Sequence, residues 1–263
     1  MDEKERAATQ VVLAYVTASA RHLADQMATR GQGAAKRRKW ERETNKYQQE
    51  LGETYDDWLT RVSREIAAAE TDDERNLLIT LALALLLADL RSLGREYIFV
   101  GMNMGLGKNN VSPRILEEIA EHIRDNEKYL EFSLLPEVER RLRNAVLDPD
   151  IMEIGALAIF GAMMGLRART ERYAGGMWVA INKAAGDVAR QQGSQGEDER
   201  VFWKIEPTAQ HCKDCLMFGD REYESFDRML LETGGAMPGS GVQCNGNCRC
   251  ELRVWRNGAW VRP

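Results

Sequence analysis

The chain has 263 residues, a net charge of −5 and 29% charged residues. This excludes a global pull toward nucleic acid or acidic lipid, and the length suits one large domain or two smaller ones. The most apolar run, Leu77 to Ala88, stops at Asp89; it falls short of the roughly 20 apolar residues that cross a bilayer and reads as a buried helix. The start, Met1-Asp2-Glu3-Lys4-Glu5-Arg6, is charged and has no apolar signal core after it, so the chain is expected to fold in a reducing cytosol.

In chain order, residues 3–30 set Val11, Val12, Tyr15, Val16, Leu23 and Met27 at helical spacing. Gly31-Gln32-Gly33 is expected to end that helix. A second helix from about Ala34 to Glu70 carries Trp40, Tyr47, Leu51, Tyr55, Trp58, Val62 and Ile66 in a narrow stripe. That stripe is expected to pack on residues 3–30 as a hairpin or to dock on another subunit. Lys36-Arg37-Arg38-Lys39, with Arg42 and Lys46 beyond, is the one basic cluster and reads as a solvated face softened by Glu41 and Glu43.

Thr71 and Glu74 have the spacing of a capping box, opening a helix that continues to about Val100. Gly101 to Lys108 does not match a phosphate loop, because Met102 stands where the first glycine belongs and Asn109 follows the lysine; it reads as a turn. Ser112-Pro113 opens the next helix, on which Glu118 and His122 read as a surface pair. A helix from Pro136 to Leu147 ends at Asp148-Pro149-Asp150. Residues 151–192 are expected to be helical with a break near Gly175-Gly176, and Gly155, Gly161 and Gly165 to mark close helix approach. Gly193 to Glu199 reads as a linker.

Beyond it the texture turns β-prone, with Val201 to Ile205, Arg221 to Tyr223, and two runs flanking Asn257-Gly258, a strong hairpin signal. All five cysteines lie in this last part: Cys212-x2-Cys215, then 28 residues, then Cys244-x3-Cys248-x-Cys250. Two thiol clusters joined by a loop can build a tetrahedral sulfur site for zinc. Any four of Cys212, Cys215, Cys244, Cys248 and Cys250 are candidate ligands for one structural zinc. Disulfides would leave an odd thiol over. A module this small seldom has enough apolar core of its own, and a metal is one remedy.

The expected fold class is therefore mainly α, an extended helical N-terminal region followed by a small zinc-stapled β/loop module. The expected divisions are 1–70 (hairpin or docking region), 71–192 (helical domain), 193–199 (linker) and 200–263 (cysteine-rich module).

Trp203, His211-Cys212-x2-Cys215-Leu216, Pro238-Gly239-Ser240-Gly241 and Cys244-x-Gly246-Asn247-Cys248-Arg249-Cys250-Glu251-Leu252 together resemble the C-terminal module of tailed-phage minor head proteins, the head morphogenesis proteins related to the phage Mu F-like family. Upstream, Arg167-x-Arg169 and Arg172-Tyr173-Ala174-Gly175-Gly176-Met177-Trp178 are similar to the helix that often precedes that module. The likeness covers residues 165–252; many relatives carry a histidine where this chain has Cys244.

The resemblance implies a phage or prophage minor head protein acting structurally in head morphogenesis. Its partner would be a portal or major capsid protein. Its place would be the host cytoplasm during assembly, then the procapsid interior or virion head. No membrane and no small-molecule substrate is implied. The alternative is a nucleic-acid-binding zinc module on a helical scaffold, with at most weak DNA contact. Against it, residues 200–263 set two lysines and seven arginines against eight acidic residues, whereas phosphate recognition wants a basic face. An enzyme using Cys212 or His211 is disfavoured: there is no G-x-S-x-G and no H-E-x-x-H, and zinc-bound thiols are ligands rather than nucleophiles.

Overall fold

The computed structural model of the chain describes residues 3–207, 209, 211–243 and 249–263, with side chains from residue 34 onward. The protein is mainly helical, with a small antiparallel sheet at its C-terminal end.

Helix α1 runs unbroken from Glu3 to Ala68, so Gly31-Gln32-Gly33 does not end it. A glycine costs a helix only about 1 kcal/mol against alanine, and no proline is present to force a stop. The aromatic stripe of α1 is buried along its whole length, from Trp40 to Ile66. It packs neither as a hairpin nor outward: it lies in this chain's own core, against α2 (Asp72–Leu106), α6 (Ala156–Met163) and α7 (Arg167–Glu171). Its large rings reach far enough to meet three neighbours at once. Tyr47 stacks on Tyr97 at 4.2 Å, and the Trp58 indole donates to the Ala82 carbonyl at 2.7 Å.

The capping box forms as expected: the Thr71 hydroxyl accepts from the Glu74 amide, and Glu74 reaches back to the Thr71 amide. Helix α2 then passes straight through Gly101 and Gly105 and stops only at Gly107, whose φ is 62°. The expected turn is thus helix, and its glycines have another use. A Cβ on Gly105 would lie 2.3 Å from the Ile181 carbonyl oxygen, and one on Gly101 2.5 Å from that of Met177. Bare backbone lets α2 approach α8 (Gly175–Ser194) this closely. Of the glycines expected to do so, Gly165 comes close to α4, a Cβ there lying 3.2 Å from the Arg141 guanidinium, whereas nothing lies within 4 Å of a Cβ on Gly161, and Gly155 (φ 82°) breaks the helix instead. The leucine run is buried on one side only. Ile79, Ala82, Leu86 and Leu90 face inward, whereas Leu77, Leu81 and Leu85 are exposed.

Ser112 caps α3 (Pro113–Tyr129), with Pro113 in its first turn. A π turn at Leu130–Leu134 leads into α4 (Leu135–Leu147), and Asp148 caps the short α5 (Pro149–Ile154). Helices α1, α2, α4 and α6 pack in cyclic order as a four-helix bundle. Between α6 and α8, two 3₁₀ turns flank α7. The break expected near Gly175-Gly176 is the 3₁₀ turn Arg172–Ala174 just before them, with α8 opening at Gly175, and further breaks fall at Gly155 and Met164–Leu166.

The sheet has the order β2-β1-β3-β4, from β1 (Val201–Lys204), β2 (Arg221–Tyr223), β3 (Glu251–Arg256) and β4 (Ala259–Val261). Asn257 (φ 50°) and Gly258 (φ 76°) turn the last hairpin, as left-handed residues suit a two-residue turn. Val201, Trp203, Leu252 and Val254 point into a core shared with Ile98, Met102, Ile119, Ala184 and Val188 of α2, α3 and α8. Two further helices, α9 (Lys213–Phe218) and α10 (Phe226–Glu232), lie within the module. Side-chain bonds span residues 193–199: the Gln192 amide donates to the Asp198 and Trp255 carbonyls.

Candidate functional site

Of the five candidate thiols, Cys212, Cys215 and Cys250 are described; Cys244 and Cys248 lie outside the described residues. Cys212 precedes α9, where its carbonyl accepts from the Leu216 amide. Cys215 sits within α9 and is wholly buried, and Cys250 immediately precedes β3 and is almost so. All three join the core between sheet and helices, Cys212 at its margin. His211, next to Cys212, brings Nδ1 to 3.5 Å from the Cys250 sulfur, and its buried Nε2 has no hydrogen-bond partner among the described residues. Among the described residues, no three of His, Cys, Asp or Glu converge as a metal would require. Thiolate and imidazole are the donors zinc prefers, and the one such pair brought together among the described residues is His211 with Cys250.

Cys250 and the start of β3 are held from α8. The Trp178 indole donates to the Cys250 carbonyl at 2.7 Å. Asn182, fully buried, donates to the same carbonyl at 3.0 Å and to the Pro238 carbonyl at 3.1 Å, while its side-chain oxygen accepts from the Leu252 amide at 2.8 Å. One amide side chain thus ties Pro238, at the start of the Pro-Gly-Ser-Gly loop, and the Cys250–Leu252 stretch to one helix. Asp214 on α9 accepts from the Gln243 amide at 3.0 Å. Asn182 is missed by reading motifs. Its only trace is being a lone amide among alanines and aliphatics in the first half of α8.

A second constellation joins α1 to the C-terminal strands. Glu251, with no exposed surface, pairs with Arg37 at 3.1 Å, Arg253 at 2.7 Å and Arg262 at 2.6 Å. Arg37 also pairs with Glu206 and lies over the Trp178 ring at 5.6 Å. Burial, with smaller contributions from Arg256 and Lys108, holds the Lys36 ammonium below its ordinary pKa, and it donates to the carbonyls of Arg262 and Pro263. The basic cluster is therefore not wholly a free solvated face: Lys36, Arg38, Lys39, Arg42 and Lys46 are exposed, but Lys36 is tied to the C-terminal carbonyls and Arg37 is half-buried in ion pairs.

His122 is not a surface residue paired with Glu118. It is buried, its Nε2 bonds the Gly176 carbonyl at 2.8 Å, and burial depresses its pKa to about 4. Glu118 instead pairs with Arg114 and Arg190. A cleft of about 390 Å³ beside His122 is lined by Asp125, Asn126, Tyr129, Arg172 and the loop Gly239-Ser240-Gly241.

No protein-family description, no characterised protein and no solved structure matches this chain.

Proposed function

We propose that this chain is a structural, non-enzymatic minor head protein of a tailed phage or prophage, joined to the portal or the inner capsid wall, with a zinc ion stapling its C-terminal module. The observation that carries this reading is a contact. The two stretches that resemble the phage family meet at their described ends, Trp178 of the upstream segment bonding the Cys250 carbonyl of the cysteine-rich one. Two motifs far apart in sequence act as one unit, which suits a module inherited whole. The metal rests on the spacing of the five thiols in sequence and on the approach of His211 to Cys250 at 3.5 Å, with any four of Cys212, Cys215, Cys244, Cys248 and Cys250 as ligands.

The nucleic-acid reading has one feature in its favour. The outer face of the sheet carries Phe202, Trp255 and Trp260 in mutual contact, with Arg200 over Trp255 at 4.5 Å. Its cations are already occupied: Arg200 by Asp198 and Glu222, Lys204 by Asp220, and Arg253 by Glu251. Phosphate contact needs uncommitted charge, so the structural role is preferred.

Protein purified under reducing conditions is expected to hold about one zinc per chain and to co-purify with portal or procapsid when co-expressed with the head proteins of its own phage. Absence of zinc together with mutual disulfides overturns the staple. Failure to enter particles overturns the head assignment. A strongly salt-dependent affinity for DNA favours the alternative.

A further inference from the structure

The outer side of α2 is apolar without cover from this chain. Leu77, Leu81 and Leu85 are 60%, 53% and 52% exposed, and Ala84 and Ala88 beside them are exposed too. By length and composition alone α2 would pass for a membrane span. Its inward residues are committed to the bundle, however, and its outward line does not stay apolar. Taken at alternating steps of three and four, that line reads Glu74, Leu77, Leu81, Ala84, Ala88, Arg91, Arg95. This is the seam of a coiled coil, acidic at one end, basic at the other, with leucine in one half of its middle and alanine in the other.

Such a line is complementary to itself when reversed. We propose that α2 is where two copies of this chain pair, their α2 helices antiparallel about a two-fold axis passing between positions 82 and 83. In that register Leu77 lies against Ala88 of the second copy and Leu81 against Ala84, so that large meets small at every level. Glu74 comes opposite Arg91, and Arg95 comes opposite Glu70, just before the helix, with Asp73 within one turn of it. The contact is isologous, so each pairing occurs twice. Within one chain Arg91 and Arg95 are steered by Glu127, at 3.8 and 2.6 Å, and Arg91 also by Glu131. The Arg95 side chain nevertheless stays 56% exposed, and Asp73 has no ion pair among the described residues. A bilayer would accept Leu77 to Ala88 but not two arginines on the same line, and the alternation of charge has no meaning to lipid.

The full chain should sediment at tens of micromolar as a species of twice 29.8 kDa, dissociating on dilution. Ala84→Glu puts an unpaired charge at the centre of the seam in both copies and should weaken the dimer by about 100-fold or more, with unchanged circular dichroism because position 84 is exposed in the single chain. Leu81→Gln gives a second, milder measure. Arg95→Glu should weaken pairing about 3- to 10-fold at low salt, and Asp73→Lys added to it should restore most of the loss. A monomeric wild type, a dimer untouched by Ala84→Glu, or a double reversal weaker than the single change overturns the proposal. Wild-type flotation with phosphatidylcholine–phosphatidylglycerol vesicles that Ala84→Glu abolishes would assign the face to lipid and overturn it equally.

Discussion

The two halves of this molecule are held by different means. The bundle of α1, α2, α4 and α6 is filled with rings: Tyr47 on Tyr97, Tyr55 against Trp58, and the Tyr55 hydroxyl donating to the Met163 carbonyl at 3.0 Å. The half where the sheet meets α8 is built on a floor of small side chains, Ala180, Ala184, Ala185 and Ala189, and is fastened by buried polar groups, Asn182 and Glu251 above all. Rings stabilise by the area they remove from water and tolerate small shifts. Buried amides and carboxylates contribute little net energy but are costly to leave unpaired. The first half should therefore yield gradually to truncation, and the second should fail when a single partner is lost.

The largest effect is expected from Trp58→Ala in the ring-filled half. Removing a fully buried indole should cost about 4 kcal/mol, read as a lower urea midpoint for the whole helical signal. Glu251→Gln, almost the same shape, should cost about 3 kcal/mol by leaving three guanidiniums without their buried carboxylate. Its mark should be regional: amide exchange should accelerate first in β3 and β4, while the Tyr47–Tyr97 region stays protected. If both variants lower protection everywhere alike, the halves melt as one unit and the contrast between them is only architectural.

The smallest of the three is a pH effect. His122 has a folded pKa of about 4 against 6.5 when unfolded, chiefly through burial. Between those values the unfolded chain binds the extra proton, so this contribution is fully present above pH 6.5 and is lost as pH falls toward 4. From pH 7 to pH 5 stability should drop by about 2 kcal/mol on this account, and a His122→Asn variant should lack that increment. An unchanged pH profile in the variant would mean that the buried imidazole titrates normally.

What the sequence makes legible is what neighbours along the chain decide. The box of Thr71 and Glu74, the cap at Ser112, the hairpin at Asn257-Gly258 and the stripe from Trp40 to Ile66 all depend on spacings of a few residues, and all form. The stripe's partner does not follow from its own pattern, since any apolar face would cover it. The same limit explains the glycines: Gly101 and Gly105 look like a turn until α8 is laid against them. At the candidate site, the thiols announce themselves, but Trp178 and Asn182, which hold Cys250, bond across some 70 positions of sequence, a reach no local pattern encodes.

The glycine seam on α2 has a use beyond packing. At Gly101 and Gly105 any side chain would press on backbone carbonyls that cannot rotate away, whereas the rings and leucines around them can exchange for one another by repacking. Over long divergence the aromatic stripe should therefore blur sooner than these two bare positions. Together with Gly94, where a Cβ would meet the Tyr173 ring at 2.8 Å, they form a sparse barcode. Distant kin that share nothing else readable could still be aligned on it.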